Sequence, residues 1–579
     1  MESLLIMVLA FVGYLVMYKL YGKYIGNKIF AINDDNQVPS VEMEDGVDFV
    51  PTKKEVIFGH HFASIAGTGP IVGPAIAVIW GWVPALVWVF LGSIIMGAAH
   101  DFGSLIISMR NKGKSISEYT AKYINARTKY FFFFIVFLEL WIIVAIFGLV
   151  MAVIFAMYPG AVLPVWLEIP IALYLGYAIY KKGGNLTAYT IIAVTIMYLT
   201  IILGAYVPVT LPAVLGISPI GNWSIILLIY AFIASVLPVG TLLQPRDYIN
   251  GHELVVAMVL MVVGVMFASF SGNLHMVAPV YQAAPEAAPP LWPFLFITIA
   301  CGAISGFHSL VSSGTSSKQV RKESDSIFVG YGGMLMEGAL ATLVIIATVA
   351  GIGMGYTTAD GQTLFGVQAW THHYASWAGA AGLGSKVGAF VDGAANMIGA
   401  IGVPKAVSVV LMGVFVASFA GTTLDTATRI QRYVLTEMFP RTFKNKFFST
   451  AVVVLFALAL IFSSGASGKG ALSLWPLFGA VNQILASLTL IIIAIYLKQK
   501  NKKAWLISAI PAVFMFVMTF WAAIINQISF GSKNNILLQI VNVVIILSMV
   551  WVAGEGFIQL FRTKTSDFKD KNEPITENV

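Results

Sequence analysis

Apolar runs of about twenty residues recur from one end of the chain to the other, separated by short polar segments. A helix crossing a bilayer needs about 20 apolar residues. The pattern therefore predicts spans near 3–24, 55–80, 82–109, 130–157, 163–181, 187–207, 222–244 and 254–272. It continues with 292–316, 327–355, 405–428, 448–464, 472–497, 503–525 and 535–561. A further run, 385–402, is Gly-rich and carries Asp392, which disfavours it as a lipid-exposed span. The expected fold is an all-α polytopic membrane protein with about 15 transmembrane helices, in which 385–402 is a re-entrant or surface helix.

Basic residues supply the orientation, because cytoplasmic loops concentrate Lys and Arg. With the N-terminus outside, Lys112, Lys114, Lys122, Arg127 and Lys129 fall inside, as do Lys181, Lys182, Arg246, Lys318, Arg321 and Lys322. The intervening loops 158–162, 208–221, 273–291 and 356–384 carry neither Lys nor Arg. The alternation continues through Arg429–Lys446 and Lys498–Lys503 only if 385–402 does not span, and it leaves the C-terminus cytoplasmic. Composition agrees with a membrane protein: 58% hydrophobic and 11% charged, with mean hydropathy +0.85. A soluble protein has about twice that charged fraction. The net charge of +7 sits in these short loops, which argues against a nucleic-acid partner and for the lipid bilayer. A single cysteine, Cys301, excludes an intrachain disulfide. The first apolar run lacks a basic n-region and a small-residue cleavage site, and reads as an uncleaved span.

Two of the spans share a pattern, Gly-x-His-x5-Gly-Thr, at residues 59–68 and 306–315. Under the topology above these spans run in opposite directions, as an inverted repeat requires. In the first, His60 and His61 precede Gly67-Thr68-Gly69-Pro70, where glycine weakens the helix and proline removes an amide donor. Unwinding near 66–70 would expose the start of a half-helix, whose free N–H groups attract an anion. In the second, unwinding is expected at Ser312, Ser313, Gly314 and Thr315, with His308 one turn earlier. Gly67 and Gly314 would then share one mid-membrane cavity. A second echo, Phe232-x-Ala234-Ser235 before Arg246 and Phe415-x-Ala417-Ser418 before Arg429, lies in parallel spans and reads as coincidence.

Ionisable residues inside spans are functional candidates, since burying a charge is costly unless it is paired. Glu139 and Glu337 qualify as proton-coupling carboxylates or structural anchors, and Asp425 joins them. His100 and Asp101, adjacent on a helix and about 100° apart, are not expected to serve one site. Thr422 and Thr423, with main-chain carbonyls around Ile65 and Ala66, could supply oxygens to a sodium ion, since hard cations take oxygen ligands. His372-His373, in a long outer loop, reads as a solvated surface rather than a metal site. No H-E-x-x-H or nucleophile–base set suggests an enzyme.

Phe49-Val50-Pro51-Thr52, Phe58-Gly59-His60-His61-Phe62-Ala63-Ser64-Ile65-Ala66-Gly67, Gly69-Pro70 and Gly73-Pro74 resemble the signature of the carbon-starvation (CstA) family. Gly97-x-x-His100-Asp101-Phe102 and Ser305-Gly306-Phe307-His308-Ser309-Leu310 are similar to that family too. The resemblance implies a bacterial inner-membrane symporter of peptides or pyruvate, without cofactors, coupled to Na+ or H+. It also implies kinship with the amino acid–polyamine–organocation superfamily and its five-plus-five, LeuT-like inverted-repeat core. On that plan 1–30 is an extra span, 31–54 a polar cytoplasmic loop and 55–497 the core. Residues 498–563 would form further spans and 564–579 a tail. Spans 55–80 and 292–316 become the broken first and sixth core helices, 405–428 the eighth, and 385–402 an outer lid. Five spans stand where three core helices are expected. A proton-coupled carrier of another carboxylate or an amino acid, or a channel, are the alternatives.

Overall fold

A computed structural model describes residues 1–358, 360–500 and 503–563, so the expected tail lies outside the described residues. The architecture is helical, with one two-stranded antiparallel ribbon, Tyr356–Thr357 with Thr363–Leu364, in a loop. In chain order the helices that matter are α1 Glu2–Ile29, α2 Lys54–Ala66, α3 Gly69–Trp80, α4 Trp82–Met109, α5 Ala126–Met157 and α6 Pro159–Ile179. They continue with α7 Leu186–Tyr206, α8 Pro219–Val236, α9 Leu243–Phe270, α10 Leu291–Thr298 and α11 Gly306–Gly314. The rest are α12 Ile327–Met354, α13 Leu383–Gly399, α14 Lys405–Met438, α15 Lys446–Ser464, α16 Gly470–Lys500, α17 Leu506–Ser532 and α18 Ile536–Arg562.

Among the described residues 13 helices are long and apolar enough to cross a membrane, or 14 when α2 and α3 count as one bent span. The sequence expectation of 15 differs by the segment 292–316. It is divided by the non-helical stretch 299–305 into α10 and α11, each too short to span alone. α13 is not a surface helix. It is buried against α3, α9, α12 and α14 through Val387, Phe390, Val391, Ala394 and Met397.

Two helix pairs organise the interior. α5 lies along α14, and α8 along α15, each partner coming from the opposite half of the chain. α6 and α7 form a hairpin that packs on α9 and α14 at the flank of this frame. The lipid-facing sides of α1, α7 and α18 carry exposed Leu9, Leu199 and Leu547, whereas α16 is buried on all sides. Small residues set the closest approaches, as is common where lipid removes the hydrophobic drive for helix association. At Gly393 a Cβ would clash with the Ala347 carbonyl, and at Gly264 with the Met397 carbonyl. We expect Gly393→Val to overpack this seam at a cost of about 1–3 kcal/mol. The readout is a lower melting temperature in detergent with unchanged helical content, and an unchanged melting temperature would contradict the seam.

Candidate functional site

The first break is where the sequence places it. α2 ends at Gly67, whose φ of +40° is a conformation side chains resist, and α3 restarts at Gly69-Pro70 after a 42° bend. A Cβ at Gly67 would lie 2.6 Å from Thr423 Oγ1, and one at Gly69 would meet the Cys301 sulfur. Thr68, at the break, receives the Val72 amide on its carbonyl at 2.9 Å. No side chain caps the start of α3.

The second break is not where the motif predicts. Ser312, Ser313 and Gly314 are the last turn of a regular α11, which ends at the non-helical Thr315, and the break within the span lies earlier, at 299–305. Asn482 of α16 compensates that break, its Oδ1 accepting from Phe307 N at 2.9 Å and Ser305 Oγ at 3.0 Å. Ser313 bonds back to the Ser309 carbonyl, and Gly314 packs on Ile430. Gly67 lies against Thr423 and Phe147, whereas Gly314 lies beside Lys318 and Arg429 at the other end. The two copies of the motif touch in another way: His60 Nε2 lies 3.3 Å from Thr315 Oγ1, and His61 Nδ1 lies 2.8 Å from Ser316 Oγ. They clamp α2 to the end of α11.

The cavity itself lies on the far side of the breaks. It has a volume of about 420 Å³, and its floor is Gly69 and Cys301. Its walls are Val72 and Ile76 of α3, Phe294 and Ile297 of α10, and Trp475 and Phe478 of α16, under Trp377 from the loop.

The opposite end is shut. Val50 N donates to the Lys318 carbonyl at 3.1 Å and Thr52 N to the Gln319 carbonyl at 3.0 Å. Arg429 Nη1 bonds Asp48 Oδ1 at 2.9 Å, Tyr433 bonds the same oxygen, and Lys318 lies 4.3 Å over the Tyr433 ring. Burial works to raise the Asp48 carboxyl, but Arg429, Tyr433, Lys318 and Arg432 together outweigh it and hold it below the ordinary aspartate value.

Three buried polar groups lie inside. In the first, His60 Nδ1 is 2.5 Å from Asp247 Oδ2, both fully buried, joining α2 to α9. The residues of the expected sodium shell fall beside it. Thr423 donates to the Ser64 carbonyl at 3.1 Å, while Thr422 turns to Asn250 at 3.2 Å and to Asp247. Ile65 and Ala66 are buried in the last turn of α2.

The second group centres on Arg246, which the sequence reading took for a charge at a helix end. It is buried, with Nε 2.9 Å from Glu168, Nη1 against Asp425 and 2.6 Å from Tyr230. Glu168 also accepts from Ser418 at 2.9 Å, and Gly421 leaves room for the guanidinium. The spacing Arg246, Asp247, Asn250 and Glu253 on α9 is the signal that could have revealed it, since positions three and four apart share a helix face.

In the third, Asp101 bridges His100 at 2.8 Å and His308 at 2.8 Å, so the adjacent pair does serve one site. His308 Nε2 lies 3.4 Å from Glu337. Glu139 is fully buried with both oxygens unpartnered, within electrostatic reach of Cys301. Outside these groups, His373 is buried against Tyr356 rather than solvated.

Two oppositely broken helices around a closed-ended cavity define a secondary transporter of the LeuT-like fold. A solved manganese transporter from Eremococcus coleocola superposes with a TM-score of 0.51 at 12% identity, covering 90% of this chain and 99% of that one. The family model described as "Carbon starvation protein CstA" matches residues 2–522, and the chain belongs to that family. The "Peptide transporter CstA" of Bacillus subtilis (strain 168) is 34% identical over 539 residues, 88% of each chain. The "Pyruvate/proton symporter BtsT" of Escherichia coli (strain K12) is 31% identical over 587 residues, 90% of this chain and 81% of that one.

Two predictions follow the closed end and the buried arginine. A depressed Asp48 carboxyl keeps its ion pair above the ordinary aspartate range and loses it only as pH falls through the lower folded-state value. At neutral pH Asp48→Asn should therefore speed maleimide labelling of Thr315→Cys in a Cys301→Ser background, and equal rates would refute the latch. Arg246→Met strands Glu168 and Asp425, which should cost about 3–5 kcal/mol. Unaltered thermal unfolding of that variant would show the arginine to be dispensable.

Proposed function

We propose that this protein is a proton-coupled importer of peptides or pyruvate in a bacterial inner membrane. The end carrying Asp48, Lys318 and Arg429 is taken as cytoplasmic, following the distribution of Lys and Arg. On this reading the protein is closed inward and its cavity opens outward. The substrate carboxylate is assigned to the uncapped start of α3 at Gly69, which presents the positive end of a helix to the cavity floor. The apolar and aromatic walls favour peptide side chains, and the pyruvate activity of a relative keeps the smaller substrate as the second reading.

The observation that carries proton over sodium coupling is the His60–Asp247 pair. It is fully buried at the junction of α2, α9 and α14, where a sodium ion would otherwise be expected. Arg246 and Asp425 stand on Asp247's other side, and His61 beside His60. A proton taken up here changes the charge of the link between α2 and α9. His60 also contacts Thr315 and Gln319, so the same group bears on the inner closure. Glu139 and Glu337 are then not the coupling groups. The α6–α7 hairpin accounts for the two spans beyond the core, with α5, α8 and α9 as core helices three to five.

In proteoliposomes, an inward proton gradient should drive accumulation of labelled peptide or pyruvate without sodium. Asp247→Asn should lower that accumulation at least tenfold while leaving counterflow intact. Sodium-dependent accumulation that survives Asp247→Asn would reverse the assignment, and a loss in Thr423→Ala alone would restore the sodium site.

A further inference from the structure

The cluster around His308 has a composition that the proton-coupled reading does not use. Cys301 Sγ, His308 Nε2 and a Glu337 carboxylate oxygen all lie within 4.8 Å of one another, and all three residues are buried. They come from three separate pieces of chain: the 299–305 break, the first turn of α11 and the middle of α12. His308 Nε2 and Glu337 are 3.4 Å apart, and neither Glu337 oxygen has a hydrogen-bond partner among the described residues. Nδ1 bonds the Asp101 carboxylate, which leaves Nε2 facing the Glu337 carboxyl group. The Ile65 carbonyl is in hydrogen-bond reach of the same ring. Asp101 and Glu139 are in electrostatic reach of the sulfur, and neither they nor Glu337 form an ion pair with Lys or Arg among the described residues.

We propose that Cys301, His308 and Glu337 form a binding site for a thiophilic divalent cation of the zinc class. Zinc takes Cys, His and carboxylate ligands at about 2.0–2.3 Å in a tetrahedron, so neighbouring N and O ligands stand about 3.3 Å apart. The His308–Glu337 separation of 3.4 Å already matches that edge. Three protein ligands leave a fourth position, for the Ile65 carbonyl or for a group entering from the cavity floor that Cys301 lines. Asp101 supplies the carboxylate–histidine support typical of metal-bound imidazole, and His100 orients Asp101 in turn. Binding replaces the thiol proton, which is released to solvent, so affinity falls as pH falls. Gly69 is required in this geometry, because a Cβ there would occupy the space of the sulfur.

The purified full-length protein, stripped with chelator, should bind Zn2+ or Co2+ at one equivalent. Bound Co2+ should show the intense near-ultraviolet absorption of a cobalt–thiolate bond. Cys301→Ser should abolish that absorption, Glu337→Gln should weaken binding at least tenfold, and Asp101→Asn should weaken it 10- to 100-fold. A His372→Ala/His373→Ala variant should bind as the parent does. Absence of stoichiometric binding, in which case His308 donates to Ile65 instead, overturns the proposal. So does binding untouched by Cys301→Ser and Glu337→Gln. Because the readout is binding rather than uptake, a failure here leaves the His60–Asp247 test standing, and the reverse also holds.

Discussion

Everything in the interior depends on how two interrupted helices satisfy their backbone where water is scarce. An unpaired amide or carbonyl in hydrocarbon costs several kcal/mol, so non-helical chain survives there only when buried in protein or lining a cavity. The two breaks meet this demand differently. At the second, Asn482 reaches from α16 to receive the Phe307 amide, and the new helix starts with a side-chain acceptor already in place. At the first, Thr423 donates to the Ser64 carbonyl, while the start of α3 is left without a side-chain acceptor. Both breaks reach the cavity, through Gly69 and Cys301, but only the second has a side-chain acceptor at the start of its new helix.

Helix existence was legible because it rests on long apolar runs, which no tertiary context reverses in a bilayer. The break at Gly67 was legible for a local reason as well, since a glycine and a proline three residues apart destabilise the helix by themselves. The second break was not. Residues 299–305, Ile-Ala-Cys-Gly-Ala-Ile-Ser, read as an ordinary apolar stretch, and what opens them is a side chain 177 residues away from Ser305. The motif shared by 59–68 and 306–315 is real as a pair of sequences but out of register with the structural repeat. Its histidine comes before one break and after the other.

Side-chain length explains why the reading of one adjacent pair failed. The 100° step along a helix sends Thr422 to Asn250 and Thr423 to the Ser64 carbonyl. The same step separates His100 from Asp101, but an imidazole is long enough to curl over its neighbour. Spacing along the chain gives directions for Cβ. Only the reach of the side chain decides which functional atoms converge.

Arg246 shows how the buried charges are linked. Its guanidinium holds Glu168 and Asp425, and the next residue, Asp247, holds His60 about 100° around α9. α9 is thus the element through which α6, α14 and α2 feel one another's charge. Removing either acid from Arg246 would leave its remaining partner overcompensated, and the change would reach Asp247 at the neighbouring position. A broken helix that must swing against a stationary frame needs such a link, because α2 has few other polar ties to that frame besides Thr423 and Thr426. A change of charge on α9 is therefore felt at α2 through the His60–Asp247 contact.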